Sequence, residues 1–291
     1  MKLGVSTYSL HNAYLSGEMT LPGIIDYIAS IGAEHAEIVP IDVALPDNPK
    51  LIDEIRLAAK RNGIELSNYA VGGNFVGLND ADWELELNRL KREVDVCAAL
   101  GITRMRHDIA VPKDFTALQD LSIRHYLSEL PRFVEVCRQI ADYAAKYGIT
   151  TSIENHGFFV QQSDRVQAIV DAVDRSNFRT TLDVGNFLCV DEDPATAVAN
   201  NIKLASMVHV KDFYYRPSYR NPGESWFNTT NGNWLRGAIA GQGDIDMPHV
   251  LGIVKKSGYD GYISIEFEGI EECKSATKMA FNYIEKLWTE L

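Results

Sequence analysis

The sequence predicts a (β/α)8 barrel in a single domain spanning residues 1–291, and three observations carry that prediction. Short β-branched or apolar runs alternate eight times with longer helical patterns. Gly32, Gly63, Gly101, Gly148 and Gly258 each close a helical pattern just before the next strand, where a left-handed backbone costs glycine little. No GxGxxG follows the first strand, which disfavours the rival doubly wound open sheet.

Strands are expected at 3–9, 35–40, 64–71, 102–109, 149–156, 179–185, 205–212 and 260–268. Helices are expected at about 21–31, 48–62, 83–100, 127–147, 163–174, 193–202, 246–257 and 271–289. Helical spacing is plainest for Trp83, Leu87, Leu90, Val94 and Cys97, and for Leu130, Val134, Cys137, Ala141 and Ala144. The connection after the seventh strand, about 213–243, is unusually long, and long loops of this kind carry specificity in barrels.

An apolar share of 46% with 23% charged residues is that of a globular chain with a sizeable core. The net charge of −12 argues against nucleic acid as a partner. No apolar run approaches the ~18 residues of a membrane span, and the start lacks a long apolar stretch, so neither a membrane segment nor a signal peptide is expected. Cys97, Cys137, Cys189 and Cys273 are widely spaced without a CxxC pair, which fits reduced thiols and a cytoplasmic location.

Four side chains suited to metal binding interrupt four separate strand patterns at or near their C-terminal ends: Glu154, Asp183, His209 and Glu266. The period of two along a strand decides which way they face. Ile263, Ile265 and Phe267 form one face of the last strand and turn Glu266 and Glu268 inward. Val208 and Val210 do the same for His209 and Lys211, Leu182 and Val184 for Asp183, and Ile153 for Ser152, Glu154 and His156. The fourth strand leaves two readings open: Arg104, Arg106 and Asp108 face inward, or Met105 and His107 do.

Three carboxylates crowded in a low-dielectric lumen repel one another unless a cation sits among them. Three carboxylates and one imidazole suit one Mn²⁺ or Mg²⁺ ion, with Zn²⁺ as the alternative. Glu154 and Glu266, read as lying on opposite sides of the ring, would flank a substrate and act as the acid/base pair of proton transfer beside a carbonyl, through a metal-bound enediolate.

With SIENH (152–156), LDVGN (182–186), HVKD (209–212), GQGDID (241–246) and ISIEFEG (263–269) in this order, the chain resembles the sugar phosphate isomerase/epimerase superfamily, the xylose-isomerase-like TIM barrels. The resemblance runs from GVSTYSL at the start to the last strand. It implies that Glu154, Asp183, His209 and Glu266 are the metal ligands, with Glu154 and Glu266 also catalytic. It further implies that Glu37 is the early-strand carboxylate that binds substrate or the groups behind the ligands. Many epimerase-like members carry histidine where this chain has Asn186, which can donate a hydrogen bond to a substrate hydroxyl but carries no charge.

Other substrate-binding candidates are His156, Lys211 and His107, each with a structural role as its alternative. Ser6 and Tyr8 are read as core residues near the lumen. The long segment holds Tyr214, Tyr215, Tyr219, Trp226, Phe227 and Trp234, and sets Arg216, Arg220 and Arg236 against one acid, Glu224. It reads as a lid in which Trp226 stacks on a sugar and Arg236 meets an anionic group; the alternative is packing on the rim or in a homodimer contact. Gly241 and Gly243 either cradle a phosphate or turn the chain into the next helix.

The expected function is that of a divalent-metal-dependent isomerase or epimerase acting on a small-molecule carbohydrate. A carbohydrate lyase of the inosose-dehydratase or keto-glycoside-cleaving kind shares its first step. An endonuclease-IV-like phosphodiesterase and a non-catalytic sugar-binding subunit are more distant readings.

Overall fold

The computed structural model describes residues 1–112 and 120–291. The strands are β1 Lys2–Ser6, β2 His35–Ile38, β3 Glu65–Val71, β4 Arg104–His107, β5 Thr150–Glu154, β6 Phe178–Asp183, β7 Ala205–Val210, β8 Asp212–Arg216, β9 Phe227–Asn228, β10 Trp234–Ala238 and β11 Tyr262–Ile265. The helices are α1 His11–Leu15, α2 Leu21–Ser30, α3 Pro49–Asn62, α4 Asp80–Leu100, α5 Ile123–Ala144, α6 Ser163–Val173, α7 Pro194–Asn201, α8 Met247–Lys256 and α9 Cys273–Glu290. Every expected strand and helix is present, and the short α1 is an addition that no clear periodicity announced.

Eight parallel strands close into a barrel in the order β1-β11-β7-β6-β5-β4-β3-β2. The helices form the outer layer, as in a TIM barrel. Their apolar faces and the outward strand residues make one continuous core, from Val5 and Ile28 to Ile153, Val208 and Ile284. Helix ends follow local chemistry: Asn48, Asn79 and Asp193 accept N-cap hydrogen bonds, and Gly63 and Gly101 end α3 and α4 in the left-handed conformation. Among the described residues no helix is long and apolar enough to cross a membrane.

The ring order corrects one expectation. Glu154 and Glu266 do not lie on opposite sides of the barrel, because β5, β6, β7 and β11 are consecutive neighbours. The ligand candidates therefore cluster along one arc of the rim.

Pairing also settles the fourth strand. Arg106 lies beside Ser152, whose side chain faces the lumen, so Arg106 points inward and His107 points outward with Met105. His107 is thus no substrate contact: its ring is fully buried in the layer between barrel and helices, 6.2 Å from Phe178. Burial lowers its pKa from 6.5 to about 4. Between these two values the unfolded chain binds a proton that the folded chain refuses. The stability difference is therefore complete above pH 6.5 and shrinks as the pH falls toward 4, by on the order of 1.4 kcal/mol per pH unit. In His107→Leu, urea unfolding is expected to lose this part of the slope; profiles parallel to the wild type between those pH values would refute the assignment.

The segment after β7 is folded rather than loose. β8, β10 and β9 form a three-stranded antiparallel sheet, with Leu235 opposite Tyr215 and Arg236 opposite Tyr214. A small second core of Cys189, Phe213 and Leu235, with Phe158, Leu188 and Tyr215 against it, seats the sheet on the turns after β5 and β6. The sheet also touches the chain after β11 where Gly237 bridges Gly269; a Cβ on Gly237 would fall 2.3 Å from the Glu268 carbonyl oxygen.

Candidate metal centre

The C-terminal ends of β5, β6, β7 and β11 bring Glu154, Asp183, His209 and Glu266 together, all buried. One ligand atom from each lies within 4.8 Å of all the others. Each is reached by inward alternation on its strand: Glu154 and Asp183 are the last residues of β5 and β6, His209 is the last but one of β7, and Glu266 follows the end of β11.

The bonds around the four leave one Asp183 oxygen and one His209 nitrogen without a hydrogen bond. Asp183 Oδ1 accepts the Gly185 and Asn186 backbone N–H groups at 2.7 and 2.8 Å, while Oδ2 is buried without a hydrogen-bond partner. His209 Nε2 lies 2.8–2.9 Å from Glu37, while Nδ1 has no hydrogen bond and lies 3.8 Å from Glu154 and 3.7 Å from Glu266. Glu154 Oε1 accepts from Asn186 Nδ2 at 3.0 Å, and Oε2 pairs with Arg106 Nε at 2.9 Å. A buried carboxylate oxygen and an imidazole nitrogen without hydrogen bonds, beside two further carboxylates, are what a divalent cation would satisfy. The donor set, three carboxylates and an imidazole, is one that suits a divalent cation.

The electrostatics are those of a crowded anionic lumen. Burial pushes Glu154 up, but Arg106 and His209 outweigh it and hold the carboxyl at about 2. For Asp183 burial wins, aided by Glu154 and Glu266, and the carboxyl rises to about 6 against the pull of Lys211. Burial likewise opposes ionisation of Glu266, but Lys211 and His209 hold it well below the usual carboxylate range. Lys211 Nζ sits 2.8 Å from Glu266, 3.0 Å from Glu268 and 3.4 Å from Asp183, and donates to Asn186 Oδ1 at 3.3 Å.

Other expected contacts divide into those at the site and those elsewhere. His156, Asn186 and Glu268 share a cavity of about 400 Å³ beside the cluster, and His156 Nδ1 lies 3.3 Å from Asp108 Oδ2. Lys211 belongs to the cluster itself. Glu37 does not line the cavity: fully buried, it holds His209 from behind and accepts from Asn68 at 2.7 Å. That bond leaves His209 Nδ1 for the cluster side, a positioning role. Arg236 and Trp226 do not line the cavity either. The Arg236 guanidinium lies over the rings of Tyr214 and Trp226 and pairs with Glu271 at 3.5 Å. Pairing of β10 with β8 decides this, because it sets Arg236 directly across from Tyr214.

Sequence reasoning missed Phe158, Gln161, Cys189, Phe213 and Asn228 as lining residues, together with the cavity face of Phe227. Tyr8, read as a core residue near the lumen, has its hydroxyl raised to about 12 by burial and then by the charge of Glu268. Gly241 and Gly243 are not a phosphate cradle. Their N–H groups donate to buried Asp212 Oδ2 at 2.8 and 2.9 Å, and a Cβ on Gly243 would fall 2.2 Å from Asp212 Oδ1.

A parallel eight-stranded barrel with acidic and imidazole side chains gathered at the strand ends defines a class of protein, and comparison places the chain within it. Residues 25–286 match the xylose isomerase-like TIM barrel family, and the chain belongs to that family. No significant match is found among curated protein sequences. Among solved structures, a xylose isomerase-like TIM barrel/4-hydroxyphenylpyruvate dioxygenase fusion protein is 20% identical, with a TM-score of 0.73. The alignment covers 100% of this chain, which spans 43% of the fusion protein's length. D-psicose 3-epimerase, solved in the presence of D-fructose, is 17% identical with a TM-score of 0.74 and 99% of both chains covered. A xylose isomerase-like TIM barrel protein from Mycobacterium smegmatis, in complex with magnesium, is 16% identical with a TM-score of 0.71, covering 92% of this chain and 88% of that one. At these identities the likeness is one of fold.

Proposed function

We propose that the chain is a divalent-cation-dependent sugar isomerase or epimerase that moves a proton at a carbon next to a carbonyl. The observation that carries the reading is the convergence of Glu154, Asp183, His209 and Glu266 within 4.8 Å beside an open cavity. The family and the likeness in fold to a D-psicose 3-epimerase support a sugar as substrate.

Glu154, Asp183, His209 and Glu266 would hold the cation, which polarises a substrate carbonyl and offsets charge developing on its oxygen. Glu154, kept ionised by Arg106, is placed to accept the α-proton at a carboxylate oxygen. Glu266, three strands away along the rim and ionised at rest, would take up a proton from solvent and give it to the same carbon in epimerisation or to the adjoining carbon in isomerisation, while Glu154 returns its own proton to solvent. Asn186 orients Glu154 through its amide and, with His156 and Glu268, faces the cavity where sugar hydroxyls would bind. Lys211 holds Glu266 and Glu268 in place and limits their mutual repulsion.

A lyase outcome is the second reading, favoured by His156 on the cavity wall within reach of Asp108, which could protonate a departing hydroxyl. Incubating the Mn²⁺-loaded protein with ketoses in D2O decides between them. Deuterium at the carbon next to the carbonyl, without loss of water, is expected; an unsaturated product supports the lyase. Absence of both, with and without added Mn²⁺, would sink the proposal.

A further inference from the structure

The cavity beside the cluster has two unlike halves. Toward the cluster it presents His156, Asn186 and Glu268. Away from it the wall is apolar: Phe158 from the turn after β5, Cys189 from the turn after β6, Phe213 of β8 and Phe227 of β9. Phe213 and Phe227 meet edge to face, with ring centroids 5.8 Å apart and planes at 76°. Phe227 is 40% exposed although it borders the buried Phe213.

The amides in that half are already engaged. Gln161 accepts the Phe158 N–H and donates to the Asn186 carbonyl, both at 2.5 Å. Asn228 Nδ2 donates to the carbonyls of Gly232 and Asn233 at 3.3 Å. A sugar ring carries hydroxyls around its whole edge, and burying them against such a wall leaves them without partners. A flat apolar ring has no such requirement and gains from edge and face contacts with aromatic side chains. None of the described lining residues is lysine or arginine, so the wall offers an anionic group no counter-charge.

Phe158 adds an independent sign. Its φ of 68° puts a bulky residue in the left-handed region, a strained conformation that the Gln161 hydrogen bond helps to hold. A volume of about 400 Å³ is also within the range that encloses a drug-sized ligand, so a monosaccharide at the cluster leaves the apolar half to be filled.

We propose that this apolar half is an aglycone subsite, so that the substrate is a keto-glycoside: a sugar that presents a ring ketone to the cluster, since its anomeric carbon is locked as an acetal, joined by its glycosidic bond to a planar apolar group lying between Phe158, Phe213 and Phe227. The inference rests on the sugar-isomerase reading for the polar half and adds the chemistry of the other.

The test compares the methyl and phenyl β-glycosides of D-glucose by titration calorimetry on the Mn²⁺-loaded protein. The phenyl glycoside is expected to bind at least about tenfold more tightly, the gain of burying one aromatic ring. That preference is expected to disappear in Phe227→Ala and to shrink in Phe158→Gly, a change that removes the ring and suits the left-handed backbone; far-UV circular dichroism and Mn²⁺ affinity report that each variant is folded. Equal affinities in the wild type, or an unchanged preference in both variants, overturn the subsite. If free ketoses still exchange deuterium in that case, the isomerase reading survives and the aglycone proposal alone falls. If neither glycoside binds and no ketose exchanges, both fall.

Discussion

Glu266→Gln is expected to abolish turnover, by on the order of 10³-fold or more, and to weaken cation binding in the same protein. The substitution keeps the shape of the side chain and removes its charge. Glu266 lies 3.7 Å from His209 Nδ1 and 2.8 Å from Lys211 Nζ, so the loss is felt at the heart of the cluster. An amide in its place is a poorer ligand for a hard cation and cannot accept or return a proton. Two effects thus fall on one residue, and two measurements separate them: Mn²⁺ affinity by calorimetry and kcat at saturating Mn²⁺. Affinity weakened with kcat restored at saturation would confine Glu266 to holding the ion. Wild-type values for both would remove it from the site altogether. Glu154→Gln is the companion; there Arg106 loses one of its two carboxylate partners and keeps Asp108 at 2.7 Å.

Asp212→Ala is expected to cost about 3 kcal/mol of unfolding free energy, the largest stability effect among single polar residues near the site. Its buried carboxylate accepts backbone N–H groups from Phe213 at 2.8 Å, Gly241 at 2.8 Å, Gly243 at 2.9 Å and Ile245 at 3.3 Å. Alanine orphans all four donors, and each buried unpaired donor costs about 1–3 kcal/mol before water or relaxation recovers part of it. Asp212→Asn keeps one acceptor oxygen and is expected to recover some of the loss. Urea unfolding measures both. A change below about 0.5 kcal/mol in the alanine variant, the size of an ordinary surface substitution, would show that the turn holds itself together without the acid.

Much of the candidate metal centre was legible because it depends on local alternation. Ile153, Leu182, Val208 and Ile265 mark the outward face of their strands, so Glu154, Asp183, His209 and Glu266 had to face the lumen whatever the rest of the chain did. The fourth strand resisted the same reasoning because Arg104, Arg106, His107 and Asp108 put polar residues at both parities. There the register against β5 decides, and register is a property of two strands rather than one. Glu37 could be placed inward but not assigned a partner, since its contact with His209 spans the barrel between residues 172 positions apart.

The segment after β7 shows the limit most plainly. Its aromatic and arginine content suggested a lid, with Trp226 and Arg236 toward substrate. Composition, however, does not say which face of a sheet a residue occupies. Pairing of β8 with β10 sends Arg236 onto Tyr214 and Trp226, while Phe213 and Phe227 are left to line the cavity.

The chain alone therefore determined the eight strand–helix units, the lumen-facing acids and imidazole, and the charge conflict that a cation would relieve. These follow from periods of two and 3.6 residues and from the chemistry of single side chains. Only the folded molecule decided that the four ligand candidates lie along one arc of the ring, that His107 turns away from it, and that an apolar wall adjoins it. Those depend on which strands become neighbours and in what register, and such long-range pairings are set by the packing of the whole barrel rather than by any one segment.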